Sequence, residues 1–167
     1  GLLASGSIVP VTGPGLIGKA PKMLFNPDQP LFLRWSYLPK LLPWLFKYLS
    51  HANAADTKRI ASALHDIIGD SVADHQALAA GTGAEQWIKP QEYMVAYNDR
   101  AHYEGDAFAW SIRRAHGVQF EELEGAALLK QEATLNDEIK FGVRVLNHGR
   151  ISDPGAYVKA LAAHVVA

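Results

Sequence analysis

Five prolines, Pro10, Pro14, Pro21, Pro27 and Pro30, fall within the first 36 residues of this 167-residue chain, and they decide where its regular structure can lie. Each fixes its own φ and removes a backbone donor, so neither a long helix nor a central strand can run through this stretch. Residues 1–36 therefore read as a long ordered loop, with room for no more than a short helix around Lys19–Phe25. Loops of this length inside compact domains are often functional. The folding core has to come from residue 37 onward.

There the periodicity becomes regular. Leu38, Leu41, Leu42, Leu45, Phe46 and Leu49 recur at three- and four-residue steps and predict a helix over 37–51. Pro39 suits its first turn, and Pro43 should kink it or mark its true start. Ile60, Leu64, Ile67, Ile68, Val72 and Leu78 predict one long helix over 54–80, capped by Asn53 or Asp56 and ended by Gly81-Thr82-Gly83. Strand character follows at Tyr93–Tyr97, then a helix over 99–116 with Tyr103, Ala107, Trp110 and Ile112 inward and Gly117 closing it. Val118–Leu123 reads as a second strand and Gly125–Ala133 as a short helix. Lys140–Leu146 is a third strand, with Phe141, Val143 and Val145 alternating against Lys140, Gly142 and Arg144. Asp153 followed by Pro154 starts a last helix with Tyr157, Leu161 and Val165 on one side. The predicted class is α+β, with long helices packed on a small, mainly antiparallel sheet.

Composition narrows the function classes. A net charge of -1 gives no field to draw in nucleic acid. With no cysteine the chain has no disulfide, thiolate nucleophile or cysteine–zinc site, and it is compatible with the cytoplasm. No apolar run reaches the ~18 residues of a membrane helix, since Lys40, Pro43 and Lys47 interrupt the densest one, Leu38 to Leu49. The opening Gly1-Leu2-Leu3-Ala4-Ser5 has neither an initiator Met nor the basic start of a signal peptide, so the chain reads as starting within a longer sequence.

Several motifs fail on physical grounds. Gly13-Pro14-Gly15-Leu16-Ile17-Gly18 matches the dinucleotide pattern G-x-G-x-x-G. That pattern needs a buried strand before it and a helix after it. Pro10 spoils the strand, Pro14 removes an N–H from the phosphate turn, and Pro21 would fall in the opening of the helix. None of the seven histidines pairs with another at metal-binding helical spacing. Glu121, Glu122 and Glu124 read as a solvated strand edge. Trp35, Tyr37, Trp44, Phe46 and Tyr48 read as core or inter-domain packing. The alternative for them is an interaction surface, which Lys40 and Lys47 would let meet a membrane. His148, in Asn147-His148-Gly149-Arg150, sits in a turn by composition, where a site role is open to it.

The order of these segments resembles the FAD-dependent D-amino-acid dehydrogenases, within the wider group of D-amino-acid-oxidase-type flavoenzymes. The resemblance is carried by Gly1 through Pro10, Gly13-Pro14-Gly15, Lys19-Ala20-Pro21-Lys22-Met23, Pro30-Leu31 and Leu42-Pro43-Trp44-Leu45. It continues through Tyr93–Tyr97, Leu123-Glu124-Gly125 to Glu132 (with Ala133 where the family has proline), Gly142-Val143-Arg144-Val145 and Gly149 to Pro154. It rests on order and spacing across nearly the whole chain and not on one sharp motif.

This resemblance implies an internal piece of such an enzyme. The strand–G-x-G-x-x-G–helix that holds FAD would precede Gly1, and the substrate-clamping arginine would follow Ala167. Residues 1–36 would be a flavin-proximal loop, 37–152 the substrate-domain part, and 153–167 a helix leading back to the FAD domain. It implies FAD as cofactor, a D-amino acid or small amine as substrate, and a quinone or another electron acceptor. The full-length enzyme would make 2-oxo acids and ammonia; this chain alone would be inactive. Gly1, Leu2 and Leu3 would pass the flavin ring, with Leu2 as an apolar wall beside the substrate and Ser5 near the pocket. It would be cytoplasmic or peripheral on the inner face of the membrane, and open edges would favour self-association. Two other readings stay open: a sarcosine- or glycine-oxidase-like relative, and a stand-alone binding module using Trp35–Tyr48.

Overall fold

The computed structural model describes residues 1–16, 18 and 35–166. They form two compact units, Gly1–Ile8 with Leu64–Ala167, and Val9–Ala63. The chain mixes helices with a small antiparallel sheet, the α+β class that its periodicities predict. The short helix expected at 19–25 and the basic Lys19–Met23 segment lie outside the described residues.

The first unit is built on four strands, β1 (Leu2–Leu3), β2 (Ile88–Tyr97), β3 (Phe120–Glu124) and β4 (Phe141–Ile151). All pair antiparallel with β4. β2 runs along one edge of β4, from Ile88 opposite Ile151 to Tyr97 opposite Phe141. The other edge is shared: β3 covers Phe141–Val145, and β1 covers Gly149 and Arg150. β2 is longer than Tyr93–Tyr97 because it takes in Pro90, opposite Gly149. A proline is tolerated there because β2 has no second neighbour among the described strands, so its missing N–H breaks no outer ladder.

The alternation in β4 places Phe141, Val143 and Val145 in one core with Tyr103 and Trp110. All three strand residues are fully buried, each contributing about 1.5–3 kcal/mol by removal from water. The opposite face is covered as well. A Cβ on Gly142 would come within 2.6 Å of Leu128 Cδ1 and 2.9 Å of Met94 Sδ, so the missing side chain is what lets Leu128 lie on the strand. A second core joins Leu3, Ala79, Ala84, Ile151 and Tyr157.

Two long helices of the sequence reading are each broken. The first divides into α2 (Ala54–Ile68) and α3 (Ser71–Ala79). Gly69 N–H closes the end of α2 on the His65 carbonyl at 2.7 Å, and Asp70 opens α3. Glycine is a poor helix former and aspartate prefers helix starts, so the pair outweighs the continuous apolar stripe. That stripe is also only partly inward, with Ile67 73% exposed. The second helix divides at Asp106 into α4 (Arg100–Gly105), capped by Asp99 on His102 N, and α5 (Ala107–Ala115). Beyond α5, Gly117 takes φ 75°, and the following Val118 N–H returns to the Arg113 carbonyl at 3.0 Å, as a C-terminal glycine cap requires. The predicted Gly125–Ala133 helix becomes α6 (Gly125–Gln131).

The last helix, α7 (Pro154–Val165), starts where its sequence signal puts it. The Asp153 carboxylate accepts from Ala156 N–H at 2.9 Å. Asp153→Ala is expected to lower the unfolding free energy by about 1 kcal/mol, read from the urea midpoint at unchanged slope.

In the second unit, α1 (Leu38–Ser50) runs through Pro43 and buries no residue completely. Trp44 stacks on Tyr48 at 4.8 Å. Asn53 caps α2 by accepting from Asp56 N–H at 2.9 Å. The buried face of α2 in this unit is made by Thr57 and Ala61; the Thr57 hydroxyl lies 3.1 Å from the Thr12 carbonyl and 2.7 Å from that of Asn53.

Candidate functional site

The residues 147–150, expected in a turn, lie inside β4. Between the pairs Gln91–His148 and Tyr93–Val145 the register slips, so Glu92 faces both Leu146 and Asn147. This bulge carries Asn147 at φ 58°, a region that asparagine tolerates better than most residues. The composition that suggested a turn is thus used inside a strand. The bulge lies between the stretch paired with β3 and the stretch paired with β1, and it turns the His148 ring toward the chain leaving β1.

His148 is 5% exposed. Its Nε2 accepts from the Gly6 N–H at 2.9 Å, so the ring proton is on Nδ1, which donates to the Leu146 carbonyl at 2.6 Å. The Ser5 hydroxyl lies 3.4 Å from the same Nε2. Tyr93 meets the imidazole edge-on, with centroids 5.0 Å apart. Burial pushes the Tyr93 hydroxyl above its ordinary pKa, with Arg113 and a Ser7 hydrogen bond opposing. Arg113 Nε donates to the Gly6 carbonyl at 3.3 Å, and its guanidinium lies over Trp110 at 4.5 Å. A Cβ at Gly6 would meet Val118 Cγ1 at 3.1 Å, His148 Nε2 at 3.2 Å and the Tyr93 hydroxyl at 3.4 Å. Close approach is what demands a glycine here. The turn itself closes with Ser7 N–H on the Ala4 carbonyl at 3.0 Å.

β1 leads into this turn. Gly1 and Ile151 exchange two backbone hydrogen bonds, each 2.7 Å. In an antiparallel ladder the next pair, Leu2 with Arg150, makes none across that edge. The Leu2 N–H and C=O therefore point away from β4. Its side chain shares a face with Arg150, and with His148 two residues earlier, and is 49% exposed. Leu3 points to the other face and is buried in the second core. Leu2 and Leu3 thus lie in a strand, with Gly1 bonded to β4 just ahead of it. Leu2 shares a sheet face with His148, the Ser5 hydroxyl lies 3.4 Å from the His148 Nε2, and the Leu3 side chain is buried.

The other sequence candidates have partners of their own. Glu122 and Glu124 hold Arg100 at 3.2 and 2.8 Å, and the Glu124 hydrogen bond pushes the Arg100 pKa up. The Tyr103 hydroxyl donates to Glu122 at 2.6 Å. Glu121 holds Arg144 at 2.7 Å beside an open cleft of about 650 Å³ lined by Glu92, Met94, Glu132 and Leu135. His51 hydrogen-bonds Asp56, His102 hydrogen-bonds Asp99, and His75 meets the Tyr157 hydroxyl. Trp44 and Phe46 are 58% and 70% exposed, which corrects the core reading for both. Residues 7–12 form no strand before Gly13, and Gly15 sits in a turn at φ 85°. Among the described residues no helix is long and apolar enough to cross a membrane. Sequence reasoning missed Gly6 and Tyr93, since only the fold brings them to His148.

By class this is an α+β chain whose open strand edge and polar turn meet on one face of an antiparallel sheet. Over its whole length it is 40% identical, across 168 aligned residues, to the D-amino-acid oxidase of Bradyrhizobium diazoefficiens. The chain spans 40% of the length of that curated relative. No family model and no solved structure matches it.

Proposed function

We propose that this chain forms part of an FAD-dependent oxidoreductase that oxidises D-amino acids or related small amines to 2-oxo acids and ammonia. The observation that carries this reading is the similarity of the whole chain to a 40% stretch of a D-amino-acid oxidase. The open edge of β1 fits the ring end of the cofactor. Leu2 presents a backbone donor and acceptor outward, and a Cβ at Gly1 would meet only Pro154 Cγ, at 3.8 Å. A planar ring edge with alternating donors and acceptors suits such a strand edge. A diphosphate cradle is not found among the described residues, so only the ring end is assigned here.

Bound FAD would supply the acceptor for the hydride leaving the substrate Cα. Leu2 would align the ring through its outward N–H and C=O, with Gly1 and Leu3 holding that strand on β4. Leu2 would exclude water from the reacting face, and the Ser5 hydroxyl would orient a polar group of the substrate. Family chemistry leaves a quinone or oxygen as the final electron acceptor.

The test uses the product of the open reading frame that encodes this chain. With FAD bound and oxygen removed, D-alanine and a panel of other D-amino acids are expected to bleach the flavin's visible absorbance, with release of a 2-oxo acid. L-enantiomers should not do so. Bound flavin that no D-amino acid or small amine reduces would overturn the reading. Readmitting oxygen, or adding a quinone, separates an oxidase from a dehydrogenase.

A further inference from the structure

We infer that Lys89 and Arg150 form a two-pronged site for an anionic oxygen group, a carboxylate or a phosphate, on the open sheet face beside Leu2. The two cations are direct cross-strand partners in the β2–β4 ladder, and Leu2 is the partner of Arg150 on the other side. Directly opposed residues share a face, with Cα atoms about 5 Å apart, so both cationic heads can reach one anion. Opposed like charges destabilise a sheet. The chain does not lack acids to separate them, since it has 17 acidic against 16 basic residues.

The contrast with the other arginines sharpens the point. Arg59, Arg100 and Arg144 are paired with carboxylates. Arg113 and Arg114 lie over the Trp110 and Phe120 rings. Among the described arginines Arg150 alone has no partner, and Lys89 has no ion pair. The surroundings suit an anion attached to an apolar group. Leu2 is half-exposed alongside, its N–H points outward, and the next cross-strand pair on this face is Gln91 with His148. Gln91 is neutral, and among the described residues no carboxylate forms an ion pair with either cation. A guanidinium and an ammonium converging on one oxyanion make charge-assisted hydrogen bonds, the strong kind. That an oxyanion binds here is independent of the oxidoreductase reading. Which oxyanion is native rests on that reading.

The test is a titration of the isotope-labelled chain, followed by backbone amide shifts at constant ionic strength, with inorganic phosphate, acetate and D-alanine as probes. Saturable shifts at Leu2, Lys89 and Arg150 are expected, weakened about tenfold or more in K89Q/R150Q. Saturation by acetate and D-alanine alone identifies a carboxylate ligand. Saturation by phosphate alone identifies a phosphate, and saturation by all three a general oxyanion site. Without any probe, R150Q should unfold at a higher urea concentration in low salt, because the repulsion with Lys89 is gone. Linear, unsaturable shifts, or equal shifts in wild type and the double variant, would overturn the site. Saturable binding in a protein that oxidises no D-amino acid would leave the site standing and remove the oxidoreductase reading.

Discussion

Trp110→Ala is expected to cost about 3–5 kcal/mol of folding free energy, among the largest losses for a single truncation in the sheet unit. Trp110 is 1% exposed. Its ring packs against Phe120 at 4.8 Å and Tyr103 at 6.0 Å, and the Arg113 guanidinium covers it at 4.5 Å. Its Nε1–H donates to the Tyr97 hydroxyl at 2.9 Å, and that hydroxyl donates in turn to the Asp106 carboxylate at 3.1 Å. Truncation opens a void between α5 and the strands, and it removes a donor from a partly buried oxygen. Trp110→Phe keeps most of the volume and loses only the donor, so it should cost about 1–2 kcal/mol. Trp44→Ala, at a residue 58% exposed, should stay within about 0.5 kcal/mol. Urea unfolding of the three variants checks the order. Equal losses at positions 44 and 110 would mean that α1 carries as much packing as α5 and would overturn this order.

The ranking of these two tryptophans was only half legible in the sequence. The inward face expected of 99–116 holds at Tyr103, Trp110 and Ile112, with Tyr103 and Trp110 packed on the apolar residues of β4, and fails at Ala107, which is exposed. The aromatics of α1 have the same helical spacing, yet Trp44 and Phe46 stay exposed. Periodicity reports that a helix has an apolar side, and it does not report what covers that side. Caps were legible because they are local: Asn53, Asp153 and Gly117 act within four residues of their own position. The helix breaks at Gly69-Asp70 and Asp106 are not legible because the apolar stripe continues through them. Strand ends were missed for the opposite reason. Asn147-His148-Gly149-Arg150 has turn composition, but β1 and β2 pair with β4 on both edges there and hold it extended.

The site followed the same division. Only the family resemblance points to Leu2 and Ser5. The group that fixes their loop, His148, was visible only as an open possibility in a supposed turn. Nothing local marks a histidine whose partner lies 142 residues away. Gly6 carried the one usable signal, a glycine flanked by serines, and its reason is tertiary: three side chains occupy the space of its Cβ.

His148→Ala should therefore be the second large effect, and it separates folding from positioning. The change leaves the buried Gly6 N–H without its acceptor and the Leu146 carbonyl without the imidazole donor. An unsatisfied buried group costs about 1–3 kcal/mol, and the vacated ring volume adds to it, for a total of about 2–4 kcal/mol. His148→Gln restores an acceptor that can reach toward Gly6, so it should recover part of that loss. Trp110→Ala removes packing from the α5 face of the sheet, and His148→Ala releases the turn Ala4–Ser7 from β4. Hydrogen exchange distinguishes them. In His148→Ala the Gly6 amide should lose protection while the amides of Val143 and Val145 keep theirs; in Trp110→Ala the strand amides should lose protection as well. If β1 aligns the flavin ring as proposed, His148→Ala should weaken FAD binding by the full protein, and His148→Gln should rescue it in step with Gly6 protection. Unchanged flavin affinity with an unprotected Gly6 amide would confine His148 to stability and detach the turn from the cofactor.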